Sequence, residues 1–394
     1  MAESKFKKTA ALFLPEIGCM ALAAFGIWIL NYTGILKWET SDMLSDIVLA
    51  VLGIAALGFA LRKEVFEGTL SYDNSEHPVR FWLCFGLGIL VSFVCIFLPD
   101  AAWPFLPVYV LLGLFGSLGL GVLGATTLLM ISVVQSGAGT EVFAMYLISG
   151  IFGVTLFRRL KNGFRAGLPF ILSLASLFVC ETAGTVLVAN AHPGIESFVL
   201  PVANLFVSGV MLLGILKLFS EKVLYRYREG YLDLNDPENE ILAALKKEDR
   251  RAYMRSVHTA YFCERIAMRL GFNAEALKCA GYYHGMGENL AELMASHPFP
   301  PDVTSILEEY QDRQKPVQHK ETAVLMASEN VINAVLALLD KSDGKSPDYD
   351  EVIDEIFDRY QESGTFIQCD ISMRELHTMH KIFKEEKLYY DFLR

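Results

Sequence analysis

The first 220 residues carry almost no charge. Between Met1 and Ser220 there are 12 Lys and Arg and 13 Asp and Glu, against 22 and 32 in the 174 residues from Glu221 to Arg394. Apolar runs fill that first part, near 10–30, 44–62, 81–99, 141–158, 166–189 and 198–220. Their length of about 20 residues is that of a helix crossing the hydrocarbon core of a bilayer. The second part has the charge density of ordinary soluble protein, with a net charge of −10, and is long enough for one hydrophobic core. The charge break sets a domain boundary near residue 220.

The run from Pro104 to Val134 is too long for one ordinary span. It holds Gly113, Gly116, Gly119, Gly121 and Gly124, which would permit a tight turn between two short spans. Positive charge decides the count. Lys5, Lys7 and Lys8 precede the first span, Arg62, Lys63 and Arg80 flank the next inner loop, and Arg158 to Arg165 is the strongest basic loop. If all three are cytoplasmic, the chain crosses an even number of times between the last two. The 104–134 run then splits near Gly116–Gly121, giving eight spans and placing both termini in the cytoplasm. A cleaved signal peptide is not expected, because the first apolar run lacks a small-x-small exit and continues to Leu30.

Seven cysteines show no CxxC and no staple pattern, so the second part is expected in a reducing compartment. Its acidic balance argues against nucleic acid as a partner, which would favour a basic face. No Walker loop, GxSxG or GxGxxG after a strand is present. The Gly-rich "LGLGVLGA" lies in a membrane run, where small residues serve packing. Glu16 and Glu181 lie within apolar runs, and an intramembrane carboxylate is a functional candidate by default. The competing reading is helix packing or, for Glu16, an interfacial position. No chain of acids or His suggests a proton path, and no repeat suggests a transporter.

The second part reads as all helix. Asn273 is a candidate N-cap and Gly285 a candidate end for one helix. Ser346 and Pro347 open another that ends at Gly364, and Val352, Ile353, Ile356, Phe357 and Tyr360 form its apolar stripe. "SMRE", Ser372 to Glu375, is a capping box opening the last helix. The apolar segment 319–340 carries Glu329, Asn330 and Asn333 and is expected to be a buried core helix, not a ninth span.

The order of several stretches resembles the membrane HD phosphohydrolases, which couple a seven-helix membrane module to a cytoplasmic HD domain. The likeness covers roughly residues 44–394. It rests on "GILKLFSEKVLYRYREGYLDLNDPENEILAAL" as the junction, on "RRAYMRSVHTAYFCERIAMRLGFNAEALKCAGYYHGMGE" as the first HD helices, and on "KETAVLMASENVINAV" and "CDISMRELHTMHKIF" as the last ones. It implies an all-α chain: a membrane helix and short external loop at 1–43, a seven-helix module at 44–220, a linker at 221–239 and an HD-like domain at 240–394. The family's large extracytoplasmic domain shrinks here to "NYTGILKWETSDM". Better-known members hydrolyse cyclic di-AMP.

The resemblance also implies where metal ligands would lie, and there this chain departs from the pattern. The family's first ligand pair falls on Met254 and Arg255. The central His-Asp becomes His284 and Gly285. A later His pair falls on Tyr310 and Gln311, and the final Asp on Glu329. One imidazole and one carboxylate hold a divalent ion too weakly to retain it, and cannot grip two ions for in-line attack. The implied state is a catalytically silent HD domain with no cofactor, a pseudoenzyme in signalling. Arg255 is the candidate to pair with Glu329 in place of the metal charge. His284 reads more readily as a satisfied helix-end His than as a ligand, and a replacement ligand at His258, one turn past Met254, is the less favoured reading. His297, His319, His377 and His380 show no metal spacing.

Three functions remain open at this level. One is a bacterial inner-membrane protein with a regulatory or scaffold role, whose partners would be the bilayer, an unidentified protein, or a second copy through the HD domain. Another is an active cyclic di-AMP phosphodiesterase using Mn or Fe with rearranged ligands. The third is a membrane sensor or transporter whose tail only stabilises it.

Overall fold

A computed structural model describes residues 12–391, apart from 37, 68–69, 71, 76, 158–165, 190–193, 288, 298, 313–315 and 342–347. The described residues are helical, with no strand among them. They divide into two compact units, Met1–Tyr225 and Arg226–Arg394. Seven described helices are long and apolar enough to cross a membrane, by length and composition, which is compatible with a multi-pass membrane protein.

The first unit contains α1 (Phe13–Tyr32), α2 (Thr40–Glu67), α3 (Val79–Cys95), α4 (Phe105–Phe115), α5 (Leu118–Ser136), α6 (Thr140–Phe157), α7 (Gly167–Ala189) and α8 (Val199–Phe219). The 104–134 run does break, at Gly116 and Ser117. Ser117 caps α5 by accepting from Leu120 N–H at 3.1 Å and donates to Glu64 Oε1 at 2.8 Å. The two halves are unequal. At 1.5 Å per residue α4 is about 16 Å long, roughly half a hydrocarbon core. Ten of its 11 residues are buried, so neighbouring helices and not lipid surround it. A Cβ on Gly121 would sit 2.6 Å from the backbone N and Cα of Gly113. Only hydrogen at that position lets α4 and α5 approach so closely. The outer faces are apolar, as on Leu83, Leu87, Leu90 and Val94 of α3, which is the surface that lipid solvates.

The second unit contains α9 (Tyr225–Leu234), α10 (Glu240–Glu248), α11 (Arg250–Leu270), α12 (Ala274–Tyr283), α13 (Asn289–Ser296), α14 (Pro301–Gln311), α15 (Lys320–Lys341), α16 (Tyr349–Ser363), α17 (Met373–Glu385) and α18 (Lys387–Asp391). The stretch read as a linker, 221–239, is largely helical: a π turn spans Ser220–Leu224, and α9 follows. Tyr231 and Leu234 of α9 are buried in the core of this unit. Helix α15 has the length and apolarity of a span. However, Ala323, Val324, Ala327, Val331, Ile332 and Val335 are spent inside this core, against amphipathic neighbours whose other faces are charged.

Several caps follow the sequence. Asn273 accepts from Ala276 N–H at 3.3 Å, Ser372 and Glu375 form a reciprocal capping box, and Gly364 closes α16 at φ 64°. Two differ. Ser346 and Pro347 lie outside the described residues, and Asp348 caps α16 through Asp350 N–H. Gly285 does not end its helix. The chain continues in a 3-10 turn, His284–Met286, and Gly287 makes the reversal at φ 58°, ψ −133°, a conformation nearly reserved for glycine.

Candidate functional site

Four segments of the second unit line one half-open cavity of about 620 Å³. Helix α11 starts at Asp249, which accepts from Arg251 and Ala252 N–H at 2.9 and 3.0 Å. Residues three and four apart share a helix face, so Ala252, Arg255 and Ser256 line the cavity together. The turn after α12 contributes His284, Gly285 and Gly287. The end of α14 brings Tyr310 and Gln311, and α15 adds Glu329 and, one turn on, Asn333.

Six of the seven positions singled out by sequence therefore meet here: Arg255, His284, Gly285, Tyr310, Gln311 and Glu329. Met254 does not; it is 40% exposed and absent from the lining. The sequence reading missed Ser256 and Asn333. The signal was available for Ser256, because stepping back from buried Ile266, Phe262 and Thr259 in threes and fours reaches 256 and passes over 254.

Hydrogen bonds within the chain hold several of these side chains. Tyr310 donates to Glu329 Oε2 at 2.6 Å, a charge-assisted bond to a carboxylate. The His284 ring stands edge-on to Tyr310, with centroids 5.7 Å apart. His284 Nδ1–H donates to Gly281 O at 2.8 Å, which fixes the proton on Nδ1. Gln311 Nε2 donates to Gly287 O at 3.1 Å. The expected Arg255–Glu329 ion pair is not formed among the described residues; the carboxylate accepts instead from Tyr310 on the preceding helix. His258 is no ligand either. Its Nδ1 meets Tyr389 OH at 2.8 Å, and burial lowers its pKa.

A divalent ion does not fit this donor set. No three His, Cys, Asp or Glu side chains converge among the described residues. Gly285 and Gly287 offer no side-chain donor, Glu329 is bound by a phenol, and a guanidinium lies on the same wall. Burial pushes the nearby Cys263 thiol up to about 12, too high to supply a thiolate near neutral pH.

The two membrane carboxylates are both structural partners. Glu16 pairs with Arg62 of α2, whose guanidinium also lies 4.4 Å from the centroid of the Phe13 ring. Glu181 accepts from Asn204 Nδ2. That same amide donates to Trp103 O at 3.0 Å, and Ser208 donates to Asn204 Oδ1 at 3.0 Å. Tyr146 accepts from Trp103 N–H at 3.0 Å and donates to Asp100 O at 2.7 Å. The cluster joins α6, α7, α8 and the segment before α4. The basic loop 158–165 and Lys5, Lys7 and Lys8 lie outside the described residues.

Comparison of the chain with protein-family models, curated proteins and solved structures gives no match.

Proposed function

We propose that this is a bacterial inner-membrane protein of the HD phosphohydrolase lineage whose second unit is a degenerate HD domain. It works as a regulatory or scaffold element and not as a hydrolase. The observation that carries the reading is the meeting of Arg255, His284, Gly285, Tyr310, Gln311 and Glu329 at one cavity. Residues far apart in sequence, chosen only as replacements for metal ligands, share a wall while lacking the donors to hold an ion. The positive-inside pattern, including Lys217 in the last turn of α8 and Lys222 after it, supports cytoplasmic termini.

The test uses the full chain purified in detergent without chelators. Elemental analysis is expected to find Mn, Fe and Zn well below one ion per chain. Incubation with cyclic di-AMP and added Mn²⁺ is expected to give no turnover. Stoichiometric metal together with hydrolysis would establish the active phosphodiesterase instead.

A further inference from the structure

The cavity wall carries polar groups that the chain itself leaves unused. Ser256 is 1% exposed, and its hydroxyl makes no hydrogen bond among the described residues. Because Ser256 lines the cavity, that hydroxyl is left available to whatever occupies it. Asn333, on the facing helix α15, likewise makes no hydrogen bond among the described residues. Arg255 forms no ion pair among them. Its charge adds to the backbone N–H bonds that hold the exposed Asp249 carboxylate, at the start of the same helix, below its ordinary range.

The other polar side chains here are committed. Tyr310 and Glu329 hold each other, and Gln311 Nε2 is spent on Gly287 O. What remains is a set of donors: a guanidinium, a hydroxyl and a carboxamide. Gly285 and Gly287 add no side chain on the adjoining turn, so backbone there stays open to approach.

We infer that this cavity binds a phosphate group without a metal ion, with Arg255 as the charged anchor and Ser256 and Asn333 as hydrogen-bond donors. A guanidinium matches a phosphate in bidentate geometry and keeps its charge at all physiological pH. The Glu329 carboxylate, turned toward Tyr310, limits affinity and favours a ligand with one phosphate over a polyanion. The volume suits a small phosphorylated metabolite. The inference stands on uncommitted donors and holds whatever the ancestry of the domain.

The experiment is calorimetric titration of the detergent-purified full chain with inorganic phosphate and, separately, with AMP, both in excess EDTA. Saturable binding in EDTA is expected for at least one of them. Arg255→Ala should weaken it at least tenfold, and Ser256→Ala and Asn333→Ala about three- to tenfold each, at roughly one hydrogen bond apiece. Because Arg255 and Asn333 are solvent-accessible, those variants are expected to fold, and unchanged thermal midpoints would verify that. Absence of saturable binding of both probes overturns the inference and leaves the proposed regulatory role standing. So does binding indifferent to Arg255→Ala and Asn333→Ala. Binding that appears only with added Mn²⁺ overturns both.

Discussion

At the residue scale, two glycines two positions apart do different work. Gly285 has a negative φ, and a Cβ there would meet only Ser256 Oγ, at 3.4 Å. Gly287 sits at φ 58°, where a side chain is strained. Gly285→Ala should therefore change stability by less than about 1 kcal/mol, while Gly287→Ala should cost about 1–3 kcal/mol. Denaturant midpoints of the two variants compare them directly. His258 gives a pH dependence with a definite sign. Burial lowers its pKa below the ordinary 6.5, so below that value the unfolded chain binds a proton that the folded chain resists. Stability should be highest above pH 6.5 and fall as the pH drops below it. His258→Gln should flatten that slope in thermal melts taken between pH 5 and 8. Residue-level reading was good where the physics is local. Asn273, Ser372 and Glu375 announce caps because a cap needs only its own next three residues. It mistook Gly285 for the terminator because a helix can leave through one more 3-10 turn. It could not see Tyr310 reach Glu329, because that bond joins two helices whose spacing no local pattern encodes.

At the element scale, the hairpin of α4 and α5 shows what the glycine-rich run is for. The turn was legible from the length of the run and its glycines, and the break falls within the expected window. The depth of burial of α4 was not legible, since a uniformly apolar helix reads the same whether lipid or protein surrounds it. Gly121→Leu should force the pair apart and lower the thermal midpoint of the detergent-purified chain, at about 1–3 kcal/mol for overpacking. Gly214→Ala, with nothing within 4 Å of the new Cβ, should leave it unchanged. Helix α15 is the opposite case. Its apolar composition would pass for a span, and Glu329, Asn330 and Asn333 marked it as interior to a soluble core. In the structure Asn330 donates to Tyr360 OH and Glu329 accepts from Tyr310, so two of these three polar residues tie α15 to its neighbours.

At the scale of the whole molecule, the two units have separate hydrophobic cores. The second is built from Tyr231 to Tyr390 without a side chain from the first. A fragment spanning 226–394 is therefore expected to fold alone, with helical circular dichroism and one cooperative thermal transition. A broad, non-cooperative melt would show instead that the membrane unit is needed to complete it. The charge break near residue 220 located this division to within a few residues of the observed Tyr225, since charge density reports directly on solvent. The helical entry at α9 was hidden by its polar residues, which resemble a linker in composition while Tyr231 and Leu234 serve the core.

In the cavity a phenol grips the lone carboxylate from a neighbouring helix. Two helices are thus tied together at the cavity by the chain's own atoms, and that link needs no ion. A chelator should therefore leave that pairing, and the two helices it joins, as they stand.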